Sequence, residues 1–273
     1  MPKVRVAHIH VPKCAGSTVE AHLKACLGER YLTAPARGRK AVLAYSGRKY
    51  DQRKLAAERT KLDAISGHFI GRSIATVLSD RPLVTTLILR DPIDLMLSWV
   101  NFRNMRYVSQ GRGAIPLEVA LRALPDEPTS KFLLERWCEV PWPILATLSR
   151  DRKRAMLDEA LGDVDTIVDI SEADQLVRSM GDLLDIAAKA QRENTSQQWM
   201  AQTGWRPIMR DQLDDRLVAD LSSRTQLDSY IWRRWALKQD IAFEPRPARP
   251  FLVSESTRAV AQLQRRWHRS KTA

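Results

Sequence analysis

The segment Val11-Pro12-Lys13-Cys14-Ala15-Gly16-Ser17-Thr18 carries the residue types of an anion site. Ala15 and Gly16 are small enough to let a ligand approach the backbone closely. Ser17 and Thr18 open a stretch with helical spacing, and the free N–H groups and dipole of a helix start favour an anion. Lys13 adds a mobile positive charge. The unit suits a phosphate, but it is not a nucleoside-triphosphate loop. That loop needs glycine, four residues, then Gly-Lys-Ser/Thr. Here the lysine lies three residues before the glycine, and Val11 stands where the first glycine would fall. No Asp at a strand end stands out as a magnesium partner. ATP- or GTP-hydrolysing chemistry is therefore disfavoured.

Other reactive side chains are less well supported. His8 and His10 alternate onto one face of a strand and could bind zinc, but a third and fourth ligand are not evident, so no metal is expected. Cys14 as a nucleophile would need a base and a leaving-group site. Trp199, Trp205, Trp232, Trp235 and Trp267 could stack on sugar rings, although such residues are more often core.

The anion loop needs a strand before it and a helix after it, and the sequence supplies both. Val4–Val11 reads as a strand, and residues 17–27 read as a helix ended by Gly28. Residues 30–54 are basic and poor in long apolar side chains, as in a solvated loop. Leu55–Leu62 looks helical, and Asp63–Phe69 is a short strand ending in Gly67-His68. Leu83–Leu89 is apolar and uncharged, the pattern of a strand buried on both faces of a parallel sheet. Arg90-Asp91-Pro92 closes it, and a helix follows with Leu95, Leu97, Trp99 and Phe102. Residues 116–162 are helical with proline breaks. Thr166–Ile170 reads as a further strand. Ser171-Glu172-Ala173-Asp174 resembles a capping box for a helix running to about Ala188. Residues 210–238 read as one or two helices, and the tail from Ser256 as a basic amphipathic helix, about 256–270. With no internal repeat or domain boundary, the expectation is one α/β domain over residues 1–273, a mostly parallel sheet flanked by helices.

Residues 10–18 resemble the 5′-phosphosulfate loop of sulfotransferases, which use 3′-phosphoadenosine-5′-phosphosulfate (PAPS) as sulfuryl donor. Leu87–Ser98 is similar to that family's 3′-phosphate motif, an arginine at a strand end and a serine eight residues on. Arg90 and Ser98 have that spacing, and a guanidinium can hold a phosphate through two parallel hydrogen bonds. The competing reading of Arg90 is a salt bridge to Asp91 or Asp94. Ile65–Phe69 resembles the Gly-His element of carbohydrate sulfotransferases of the heparan 2-O-sulfotransferase-like group, where the histidine is the proposed base. A histidine titrates near neutral pH, as a general base should. Weaker likenesses lie at Ile167–Glu172, at Asn194-Thr195-Ser196 as further donor contacts, and at Leu227–Tyr230 as packing.

The resemblance implies a P-loop-like fold and a PAPS-dependent O-sulfotransferase acting on a carbohydrate hydroxyl. Lys13 and His68 would be catalytic. Lys13, Ala15, Gly16, Ser17, Thr18, Arg90 and Ser98 would bind PAPS, the co-substrate, without a metal. The alternatives are a non-catalytic nucleotide- or nucleic-acid-binding protein, or a P-loop kinase.

Composition adds bounds. The chain has 273 residues, 44 % of them apolar, which is enough for a core. Lys plus Arg is 44 against 32 for Asp plus Glu, a net charge of +12 that argues for an anionic partner. The charge sits at the ends: residues 1–60 carry +9, residues 258–273 carry +5, and the residues between them −2. This excludes a uniformly cationic coat. The basic stretch from Arg37 to Lys54, Arg37, Arg39 and Lys40 among it, is a candidate platform for an anionic glycan acceptor. The tail helix is a candidate for peripheral membrane association. No nucleic-acid-binding motif is visible, so no nucleic-acid partner is expected. Three cysteines with no repeating spacing suggest a reducing compartment. No apolar signal core or membrane-spanning run is visible, so the expected address is the cytoplasm.

Overall fold

The structure, a computed structural model, describes residues 4–34, 52–187, 200–201 and 203–237. Five strands form one sheet: β1 (Arg5–Ile9), β2 (Tyr31–Thr33), β3 (Ala64–Gly67), β4 (Leu83–Leu89) and β5 (Thr166–Asp169). Their spatial order is β2-β3-β1-β4-β5, and every neighbouring pair is parallel. This is the α/β class expected. Every residue of β1, β3 and β4 is buried. That accounts for the uncharged run of β4, since a parallel sheet is covered on both faces, while β1 and β3 also bury the polar residues Arg5, His8 and Ser66.

Helices alternate with the strands and continue after β5. The first half of the chain supplies α1 (Gly16–Leu27), α2 (Gln52–Glu58), α3 (Ile74–Val77) and α4 (Pro92–Ser109). Then come α5 (Leu117–Arg122), α6 (Pro128–Arg136), α7 (Trp142–Leu145) and α8 (Arg150–Gly162). After β5 come α9 (Ala173–Leu184), α10 (Asp215–Arg224) and α11 (Gln226–Trp235). The helical stretch read between residues 116 and 162 is thus four helices, and α6 and α7 each have proline in their first turn.

The chain builds β2 and β3 on one side of β1 and β4 and β5 on the other. The change of direction falls between β1 and β4. In open α/β sheets, ligands bind beyond the carboxyl ends of the strands at such a point. The β1–α1 loop carries Lys13, and the β4–α4 turn carries Arg90. Asp91 fixes that turn: its carboxylate accepts from the N–H groups of Ile93 (2.9 Å) and Asp94 (3.3 Å), and Pro92 starts the helix.

The start of β1 is anchored by a fully buried arginine. Arg5 donates to the carbonyls of Leu62 (2.8 Å), Leu78 (3.1 Å) and Arg59, and it pairs with Asp80. Those carbonyls precede β3 and end α3, so one side chain registers three segments.

Three readings need correction. Tyr31–Thr33 lies within the stretch read as loop, but it pairs with β3 as a three-residue edge strand. The expected capping box at Ser171 is absent. Asp169 instead accepts from the N–H (2.9 Å) and the hydroxyl (2.7 Å) of Ser171. The helix then starts at Ala173 and stops at Leu184. Arg37, Arg39, Lys40, Arg48 and Lys49 of the basic platform, Asn194-Thr195-Ser196, Trp199, Trp267 and the tail helix lie outside the described residues. No helix among the described residues is long and apolar enough to cross a membrane.

Candidate functional site

A cavity of about 480 Å³ lies where β1 and β4 end. One face of α4 forms a wall. Asp94, Leu97, Ser98, Asn101, Phe102 and Met105 recur at helical spacing and all line it. Lys13 and Arg90 line it from the strand ends. Trp205 and the Pro207–Asp211 segment close the far side. Three of the expected donor residues, Lys13, Arg90 and Ser98, therefore share one cavity.

The cations there are short of protein partners. The Arg90 guanidinium reaches the Lys13 carbonyl at 3.4 Å from one Nη, and its Nε is buried with no hydrogen-bond partner among the described residues. No ion pair with Asp91 or Asp94 forms within 4 Å. Asp91 pairs with Arg210 instead, at 3.2 Å. The competing reading of Arg90 as an ordinary salt-bridge partner therefore fails. Lys13 places its ammonium 4.1 Å from the centre of the Phe102 ring, a cation–π contact. Burial, with Arg90 nearby, pulls its pKa down to about 8. Asp94 and Asp211 also line the cavity, and burial and Asp91 raise the Asp94 pKa.

The β1–α1 loop is held in a strained shape. Lys13 (φ 68°) and Ala15 (φ 57°) both occupy the left-handed region, which costs about 1–3 kcal/mol per non-glycine residue. No side chain caps the start of α1. An uncapped helix start behind a strained loop leaves backbone N–H groups for an anion. Ala15, Gly16, Ser17 and Thr18 sit at this start and are not part of the cavity lining. Gly16 has a role that its spacing did not reveal. A Cβ there would come within 2.0 Å of the His10 ring, so the missing side chain makes room for His10.

His10 leads to the second half of the site. Its ring packs on His68 with centroids 4.0 Å apart, and its Nδ1 lies 2.9 Å from the Glu20 carboxylate. Ser66 donates to the same carboxylate at 3.0 Å, and the Tyr31 hydroxyl lies 2.6 Å from Ser66 Oγ. His68 Nδ1 is 2.7 Å from the His10 carbonyl. A carbonyl only accepts, so that nitrogen carries the proton and Nε2 holds the lone pair. Burial lowers the His68 pKa, with a further push from His10, so the neutral ring dominates at neutral pH. His68 is not part of the cavity lining. It adjoins the residue three positions before Lys13, so the loop links the two clusters.

The remaining candidates have structural partners. His8 Nδ1 meets Thr86 Oγ1 at 3.0 Å, and burial drives the His8 pKa down to about 3. Among the described residues, no group of three or more His, Cys, Asp or Glu is placed to hold a metal. Cys14 is buried, with its pKa pushed up to about 12, which makes it a poor nucleophile. Trp232 donates to Asp169 (2.8 Å) and Trp235 to Asp158 (3.2 Å), which fixes both indoles in packing roles. The buried Asp228 carboxylate accepts from the N–H groups of Thr129 and Ser130 and caps α6, consistent with packing.

Sequence reasoning missed Asn101 and Arg210. Asn101 donates to the Ile208 carbonyl (2.9 Å) and accepts from the Ile208 N–H (2.8 Å), which pins the segment opposite α4. Nothing in the local sequence marks it beyond its place on the α4 face. The sequence does not set Trp205 apart from the other four tryptophans; the fold does, with a buried indole N–H that has no partner among the described residues.

No protein-family model matches the chain, and no curated protein matches its sequence at a significant level. Among solved structures, it is similar to a sulfotransferase from Alicyclobacillus acidocaldarius. The TM-score is 0.41 and the identity 14 %, over 87 % of this chain and 97 % of that one.

Proposed function

We propose that the protein is a PAPS-dependent O-sulfotransferase whose acceptor is a carbohydrate. The observation that carries this reading is the convergence of Lys13, Arg90 and Ser98 on one cavity where the Arg90 Nε has no partner among the described residues. These three residues belong to two motifs about 75 residues apart in the sequence, each of which resembles a part of the sulfotransferase donor site. A phosphate on a ribose 3′-oxygen is the partner that Arg90 lacks, with the Ser98 hydroxyl as a further donor. The flat Trp205 indole across the cavity suits a purine base.

The 5′-phosphosulfate would lie over the start of α1, on the backbone N–H groups of Ala15, Gly16 and Ser17 and beside the hydroxyls of Ser17 and Thr18; the Thr18 N–H itself donates to the Ala15 carbonyl (2.9 Å). His68 Nε2 takes the proton of the acceptor hydroxyl. The hydroxyl oxygen bonds to sulfur as the bond from sulfur to the bridging phosphate oxygen breaks. Lys13 neutralises the charge that develops on that bridging oxygen. The products are the sulfate ester and 3′-phosphoadenosine 5′-phosphate.

Calorimetry with 3′-phosphoadenosine 5′-phosphate in the absence of magnesium tests the reading. Binding at least tenfold tighter than that of AMP is expected. No binding, or equal affinity for AMP, overturns it. Lys13→Ala and His68→Ala should both abolish sulfuryl transfer. Full turnover in His68→Ala would place the base elsewhere.

A further inference from the structure

The last turn of α6 carries a cation that this scheme does not use. Phe132 and Arg136 stand four residues apart and share one face of that helix. The face lies across the residues that follow β3. The Phe132 ring meets His68 edge-on with centroids 6.3 Å apart, and the Arg136 guanidinium sits 4.8 Å over the Phe69 ring. Arg136 is near enough to His68 to oppose a positive charge on its imidazole.

Arg136 is poorly satisfied by the protein. Only 14 % of its side chain is exposed, and Nη1 is buried without a hydrogen-bond partner among the described residues. Among the described residues its ion pair is with the adjacent Glu135, whose carboxylate oxygen is 3.7 Å from Nη2, too far for a hydrogen bond. A guanidinium keeps its proton near neutral pH, and a buried donor with no acceptor is costly. The group that would satisfy it is an anion. Among the described residues no carboxylate oxygen lies within hydrogen-bond distance of the guanidinium, and the site adjoins the candidate base.

We propose that Arg136 receives an anionic group of the acceptor, a carboxylate or a sulfate, next to the hydroxyl that His68 deprotonates. This rests on the reading of His68 as the base. It makes the acceptor an acidic glycan, not a neutral sugar or a simple alcohol. The exposed edge of the guanidinium meets the anion first. A small turn of the side chain then gives Nη1 a second, parallel bond.

The test follows the His68 imidazole signal by NMR in protein saturated with 3′-phosphoadenosine 5′-phosphate, with His68→Asn to assign it. The probes are trigalacturonate, its carboxyl-reduced neutral counterpart, and a sulfated neutral trisaccharide. One anionic probe should shift the signal with a Kd at least tenfold below that of the neutral sugar. Whichever does so identifies carboxylate or sulfate as the group read. Arg136→Gln should abolish the preference and Arg136→Lys should restore part of it. Both should keep wild-type affinity for 3′-phosphoadenosine 5′-phosphate, because Arg136 does not line the donor cavity. The proposal falls if neither anion shifts the signal, if the neutral sugar binds equally, or if Arg136→Gln keeps the preference. If wild type fails to bind 3′-phosphoadenosine 5′-phosphate, the sulfotransferase reading falls. The same titrations without it still decide the role of Arg136.

Discussion

Replacing Arg90 with glutamine removes a cation that meets no carboxylate within 4 Å, so its effect on a ligand can be separated from its effect on the fold. Two unit charges about 4 Å apart attract by about 4 kcal/mol at an effective dielectric near 20 and by about 1 kcal/mol in water. Arg90 is half-buried in a cavity open to solvent, so it lies between those limits. Hydrogen bonds to a charged group are worth about 1.5–3 kcal/mol. A loss of roughly 2–4 kcal/mol corresponds to about 30- to 1,000-fold in Kd. That loss should appear for 3′-phosphoadenosine 5′-phosphate and not for AMP, which lacks the 3′-phosphate. Calorimetry of both ligands on both proteins gives the coupling between residue and phosphate directly. The same substitution removes a cause of the low Lys13 pKa. Anion affinity in wild type should fall as pH rises through about 8, because Lys13 then loses its charge. In Arg90→Gln that fall should move to higher pH. Equal weakening of AMP would refute the assignment of Arg90 to the 3′-phosphate. An unmoved alkaline limb would refute the electrostatic account of Lys13.

Three further outcomes are expected. The pH profile of kcat/KM should be a bell. It should fall below a limit under 6.5 as His68 protonates and above about 8 as Lys13 deprotonates; transfer that holds its rate well above pH 8 would remove Lys13 from the chemistry. Gly16→Ala should cost about 1–3 kcal/mol through overpacking, and it should cut turnover more than donor affinity by driving the His10 ring off His68; urea melts and steady-state kinetics read the two effects. Arg5→Met should lower stability by roughly 3–5 kcal/mol by orphaning buried carbonyls and Asp80, while affinity for 3′-phosphoadenosine 5′-phosphate stays unchanged because Arg5 lies at the opposite end of β1.

The elements that build the cavity at the ends of β1 and β4 were legible for a physical reason. A parallel strand buried on both faces must be an apolar run, so Leu83–Leu89 announces itself, and Asp91-Pro92 marks the helix start that follows. Lys13 and Arg90 stand at the ends of such strands, and that fixes their neighbourhood. The edge strand Tyr31–Thr33 was hidden because three residues are too few to show alternation. Asn101, Trp205 and Arg210 were hidden for another reason. Their roles come from a contact between α4 and a segment over a hundred residues later, and no local pattern encodes that pairing.

The glycine of the anion loop carries the most consequential difference between sequence and structure. Read alone, Gly16 is where a ligand phosphate comes close to the backbone. In the fold, the His10 ring occupies the space beside it, and that ring stacks on His68 and faces Glu20. The His10 carbonyl fixes the His68 tautomer. A shift of the loop toward a donor phosphate must therefore move His10, and with it the ring that would take the acceptor proton. On the proposed function, donor binding and base positioning would be coupled through one ring packed on one missing side chain. A change at either histidine should then be felt at both substrates, and Gly16 is the residue whose replacement separates a phosphate role from a packing role.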